Sequence, residues 1–101
     1  MKTEILETII GIVAEVCEVP IDKIKSMNKC GDVVEARSMF VHFCYAYGIQ
    51  PICMMRFLNR KRLDSISDAA HNFHAFSKQS YSFRLMSGKV ADKLAAIYPR
   101  Q

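Results

Sequence analysis

Apolar residues at positions 5, 6, 9, 10, 13 and 16 recur at helical spacing while Glu4, Glu7 and Glu15 fall off that stripe. This predicts an amphipathic helix from Thr3 to about Cys17. Pro20 suits a helix start, and "VPIDKIKSMNKCG" then runs into Ser, Asn and Gly, so a short helix near 20–26 followed by a loop is expected. Asp32 and Glu35 have capping-box spacing, which predicts a long helix starting at Asp32. Its apolar face is Val33, Ala36, Phe40, Phe43, Cys44 and Tyr47, and Gly48 supplies a residue tolerant of the left-handed conformation on which helices often end.

Pro51 opens a further short helix, "PICMMRFL". Asn59, Arg60, Lys61 and Arg62 then form a turn, after which Leu63, Ile66, Ala70, Phe73 and Phe76 return to helical spacing. Two helices joined by a tight turn make a helix-turn-helix pattern. Ser77–Ser80 is the expected break before a last helix, Tyr81–Tyr98, carrying Phe83, Met86, Val90, Leu94 and Ile97 on one side and stopped by Pro99. No alternating strand pattern of useful length occurs, so the expected fold is an all-α bundle of about five to six helices forming one domain over residues 1–101.

Composition changes this picture little: 50% apolar and 24% charged residues in 101 is an ordinary globular balance, with room for one core and none for a separate catalytic domain. Charge changes it more. Residues 1–22 carry one basic and five acidic residues, net −4, whereas residues 23–101 carry thirteen basic and five acidic, net +8. The first helix therefore repels polyanions and the remainder attracts them. The cysteines at 17, 30, 44 and 53 lack the C-x-x-C pairing of a structural zinc or redox motif and are expected as reduced cytoplasmic thiols. No signal-peptide pattern opens the chain, and the nearly uncharged stretch Ser38–Met55 is interrupted by His42, Gly48, Gln50 and Pro51, so a cytoplasmic protein without a membrane span is expected.

The cluster Arg60, Lys61 and Arg62 stands at the entry of a helix, where side chains and free N–H groups meet phosphates. The bland alternative is a solvated turn. Asp64, Asp68 and His71 follow at i, i+4 and i+7, together with Asn72 and His74, and a solvated polar face is a better reading of that stripe than a metal site. Carboxylates on such a face oppose a phosphate backbone unless they accept from a cytosine amino group. His42 and Cys44, two apart on a helix, diverge and form no nucleophile–base pair, and no phosphate-cradling Gly-rich loop is present. No enzyme activity, cofactor, metal or small-molecule substrate is expected.

From about Leu6 to Leu94 the chain resembles the C-terminal DNA-binding domain of the bacterial replication initiator DnaA. The resemblance lies in "PIDKIKSMNKCGDVVEAR", similar to that family's short helix, basic loop and "V-x-A-R" helix start; in the turn-helix "NRKRLDSISDAA"; and in "SFR" before a final amphipathic helix. It implies a helix-turn-helix fold and double-stranded DNA as partner, with Lys29 in place of the arginine that enters the minor groove and Arg37 as a phosphate contact. Lys61 and Ser65 keep the character of the family's recognition-helix start. Arg62 and Leu63 replace its base-reading Asp and His, and Cys30 and Gly31 replace basic loop residues, so altered base reading is expected. ATP binding is not implied, because only the DNA-binding domain is matched.

The leading expectation is thus a small non-catalytic DNA-binding protein using Lys29, Arg37, Arg60, Lys61, Arg62 and Ser65, with some five phosphates neutralised and a log–log salt slope of about −4 to −5. Leu63 is expected to turn inward. The alternative is a protein-interaction module that keeps the fold without base readout, motivated by Leu63, Asp64, Asp68 and the thinned basic loop.

Overall fold

In the computed structural model, which describes residues 2–99 with the side chain of residue 2 excepted, six helices follow one another with no strand among the described residues. They are α1 (Lys2–Cys17), α2 (Ile21–Lys25), α3 (Gly31–Ala46), α4 (Pro51–Phe57), α5 (Asp64–Gln79) and α6 (Tyr81–Ile97). This is the all-α bundle expected. No helix among them is long and apolar enough to cross a membrane.

The bundle is organised around α3, which packs against all five other helices. That position explains why Ser38, Met39 and Val41 are buried along with the apolar face read from the sequence: the middle of α3 has no solvent side. Ser38 is tolerated there because its hydroxyl donates to the Glu35 carbonyl at 2.6 Å. Ile9, Ile10 and Val13 of α1, Met54 of α4, Ile66 and Phe73 of α5, and Phe83, Val90 and Leu94 of α6 complete one continuous core.

The helix ends show where local chemistry overrules sequence spacing. Helix α3 begins at Gly31, one residue before the expected start, and its N-cap is Cys30 without a side-chain cap. The capping box at Asp32 and Glu35 does not form. Asn28 Oδ1 accepts from the Cys30 N–H at 2.8 Å and Cys30 turns the chain into the helix, so Asp32 falls inside the first turn. Glu35 is half-buried, and burial, then Asp32, raises its carboxyl above the usual range. At the other end Gly48, at φ 80°, donates to the Tyr45 carbonyl while Ile49 donates to that of Cys44, and this paired return is the Schellman motif that Gly48 implies.

Helix α5 runs to Gln79, so the break expected over Ser77–Ser80 shrinks to Ser80 alone. Ser80 Oγ accepts from the Phe83 N–H at 3.2 Å, capping α6 without a linker. Helix α6 buries Phe83, Val90 and Leu94, but Ile97 lies exposed beyond the core, and the half-buried Tyr98 lies against Tyr47 instead.

Helices α3 and α5 meet through rings. The half-buried His42 imidazole stacks flat on Phe73, with centroids 3.7 Å apart and planes 3° apart, and Phe73 meets Phe83 at 5.3 Å. Burial, then His74, holds His42 below its ordinary value of 6.5. A base whose folded pKa is depressed is protonated first in the unfolded chain, so stability falls as pH drops through the ordinary imidazole range. His42→Phe keeps the stack and removes the proton site. Its melting temperature is expected to depend less on pH than the parent's between about pH 7 and 5, where imidazole titrates; equal pH dependence in thermal melts would refute this role for His42.

Candidate nucleic-acid interface

Residues 23–62 carry eight basic and two acidic residues, net +6, so most of the positive half of the chain's charge lies in this segment. Its geometry starts at the end of α4. Asn59 adopts φ 58°, a left-handed conformation asparagine tolerates, and donates to the Arg56 carbonyl at 3.1 Å while Arg60 donates to that of Met55 at 2.8 Å. This second Schellman motif reverses the chain, and the turn through residues 60–63 delivers it to α5 at Asp64.

The reversal separates Arg60 from its two basic neighbours. Its guanidinium turns inward, donating to the Ser26 carbonyl and lying against the Met27 sulfur, and its buried Nε has no partner among the described residues. Burial pushes its pKa down. Lys61 and Arg62 remain exposed. Arg62 pairs with Asp64 at 3.1 Å, but both side chains are more than three-quarters exposed. Such a pair contributes under about 1 kcal/mol and yields readily to a phosphate.

Arg37 is likewise engaged by the fold. From α3 its Nε donates to the Ile24 carbonyl at 2.9 Å, and one terminal nitrogen donates to the carbonyls of Ser26 at 2.8 Å, Asn28 at 3.1 Å and Lys23 at 3.3 Å. It thereby closes the C-terminal end of α2, where carbonyls lack intrahelical partners and a cation is favoured. Burial, then Arg60, lowers its pKa. Lys25 is occupied too, 4.1 Å above the Phe57 ring. The loop itself is ordered by small polar groups: Ser26 Oγ donates to Lys23 and accepts from the Asn28 N–H.

Between this loop and the N-terminal half of α5 lies a concavity of about 280 Å³ whose polar lining is Lys29, Arg37, Arg60, Ser65, Asp68 and Asn72, with the apolar Met27, Val34 and Ala69 between them. Four of the six residues singled out in the sequence thus converge, and Lys61 and Arg62 stand apart at the α5 entrance. Lys29 is exposed and makes no ion pair among the described residues. Asp68 and Asn72 share the groove face of α5 with Ser65, at i+3 and i+7, so helical spacing alone identifies them as its companions. Serine, aspartate and asparagine are side chains that hydrogen-bond base edges.

Leu63 does not turn inward. It is 47% exposed at the N-cap of α5, because Ile66 takes the core position facing α3. Met27, across the turn, is 70% exposed. Elsewhere, burial raises the Cys44 thiol far above its ordinary value, and burial, then Glu35 and Asp32, pushes Cys17 up to about 11. Neither is a thiolate near neutrality, and His42 is stacked on Phe73 rather than directed to a thiol. No group of three or more His, Cys, Asp or Glu side chains among the described residues is arranged to hold a metal ion. No protein-family model matches this chain, and no curated protein matches it significantly.

Proposed function

We propose that this chain is a small, non-catalytic protein that binds double-stranded DNA through α5 and the loop before α3. The carrying observation is a polar helix face, Ser65, Asp68 and Asn72, flanked by exposed cations on two sides: Lys29 on the loop, and Lys61 with Arg62 at the helix entrance. In helix-turn-helix proteins the second helix enters the major groove N-terminus first, while cations beside it seat the backbone phosphates. Here α4 is the first helix and α5 the second. Lys61 and Arg62 hold phosphates or a guanine edge, Lys29 approaches the neighbouring minor groove or backbone, and Arg37 and Arg60 hold the loop in register instead of touching DNA themselves.

The resemblance to the DNA-binding domain of DnaA supports the same reading, with a different target sequence given Arg62 and Leu63. Selection from a pool of random duplexes tests it. Enrichment of a motif distinct from the initiator box is expected. Recovery of no duplex above background, at low salt, would contradict DNA binding.

The second reading, a protein-interaction surface, is favoured by the exposure of Met27, which lines the groove, and of Leu63 at the α5 N-cap. It requires no duplex recovery and loss of a protein partner on substitution of those two residues.

A further inference from the structure

We infer that the concavity between the loop before α3 and helix α5 is a site for a nucleoside monophosphate, its phosphate held by Lys29, Arg37 and Arg60 and its base edge by Asp68 and Asn72. This does not depend on the DNA-binding reading above. It starts from an uncompensated charge: Arg37 and Arg60 both donate to the Ser26 carbonyl, so the two guanidinium groups meet at one oxygen. Neither arginine, nor Lys29 in the same lining, forms an ion pair with a carboxylate among the described residues. Backbone carbonyls alone face the two arginines, and donors are left over. The second terminal nitrogen of Arg37 and the buried Nε of Arg60 have no hydrogen-bond partner among the described residues. Cations gathered in a recess focus their field there, because low-dielectric walls screen less than open water.

A phosphate monoester suits guanidinium groups, whose paired N–H donors match its oxygens. Both arginines are half-buried, within reach of a small molecule that enters the recess rather than of a duplex that lies across its rim. The opposite wall has other chemistry. Asp68 and Asn72, one turn apart on α5, set a carboxylate beside an amide, and neither side chain makes an ion pair or hydrogen bond among the described residues. A carboxylate repels phosphate, so its place in this recess fits a ligand that is anionic at one end and offers N–H donors at the other. Adenine, guanine and cytosine carry an amino group that Asp68 can accept from, whereas thymine carries none. Val34 and Ala69, between the two walls, give the flat ring an apolar surface. The volume of about 280 Å³ is close to the ~300 Å³ at which small-molecule pockets begin, which suits one nucleotide and not a dinucleotide.

The test titrates the full chain with inorganic phosphate and with the monophosphates of deoxyadenosine, deoxyguanosine, deoxycytidine and thymidine, following amide chemical shifts by NMR. Shifts are expected to concentrate at Lys29, Arg37, Ser65, Asp68 and Asn72, and the three nucleotides with amino-bearing bases to bind about five-fold tighter than thymidine monophosphate. Lys29 and Asp68 are exposed and unpaired among the described residues, so their variants keep the fold. Lys29→Ala is expected to weaken every probe several-fold. Asp68→Ala is expected to tighten inorganic phosphate and to erase the preference over thymidine monophosphate. No shift with any probe, shifts scattered outside the groove, nucleotides binding no tighter than inorganic phosphate, or binding indifferent to both variants would each overturn the inference. Duplex binding without mononucleotide binding leaves the DNA-binding reading standing and this site refuted; mononucleotide binding without duplex binding does the reverse.

Discussion

Replacing Arg37 with alanine is expected to destabilise the fold by about 2–3 kcal/mol and lower its melting temperature by about 10–15 °C. The side chain joins α3 to four carbonyls spread over Lys23, Ile24, Ser26 and Asn28, which together form the end of α2 and the start of the loop. Bonds from a charged donor contribute more than neutral ones, and partly buried carbonyls left behind are only incompletely rescued by water. Because Arg60 donates to the Ser26 carbonyl as well, the loss spreads to the turn before α5. Arg37→Lys keeps the charge but has no planar fork to span these acceptors, so it recovers little of the loss. Thermal melts of the two variants decide between roles. Unchanged melting of Arg37→Ala with weakened DNA binding would make Arg37 the phosphate contact that the resemblance implies, and the structural account of it would be wrong.

The double substitution Lys61→Glu with Arg62→Glu is expected to abolish duplex retention, at least 100-fold in affinity, with melting unchanged within a few degrees. Both side chains are exposed, and the one ion pair either makes, Arg62 with Asp64, is exposed too. Reversing two charges at the proposed phosphate contacts replaces two attractions with two repulsions, and each phosphate left without its cation weakens binding several-fold at moderate salt. The turn before α5 also gains carboxylates next to Asp64, on the side proposed to face DNA. Retention of duplex by the variant at parental strength would show that the α5 entrance is not where DNA is held.

The helices themselves were legible because apolar spacing depends on one property, burial, that each segment carries in its own sequence. Gly48 and Pro51 marked their turns correctly for the same local reason. What spacing cannot carry is competition from outside the segment. The Asp32 capping box failed because Asn28 engages the backbone N–H of Cys30, fixing the α3 start one residue earlier. Arg37 and Arg60 look like Lys29 and Lys61 in a charge count, yet their acceptors lie between nine and thirty-four residues away in the chain, and only the folded geometry separates clamp from free cation. Asp68 and Asn72 were visible as a polar face but not as groove partners of Lys29, since that pairing requires the loop to lie across α5. The exposed position of Leu63 follows from Ile66 filling the core instead.

Of the five cations singled out at the proposed interface, Arg37 and Arg60 are engaged by backbone carbonyls, which leaves the exposed Lys29, Lys61 and Arg62 for phosphates. This reduces the salt dependence expected from charge alone. The most direct measurement is anisotropy of a labelled duplex titrated with the protein at salt concentrations from about 50 to 300 mM. Counterion release from three phosphates gives a log–log slope of about −3. A slope near zero, or no binding at the lowest salt, would contradict the seating of this helical bundle on DNA.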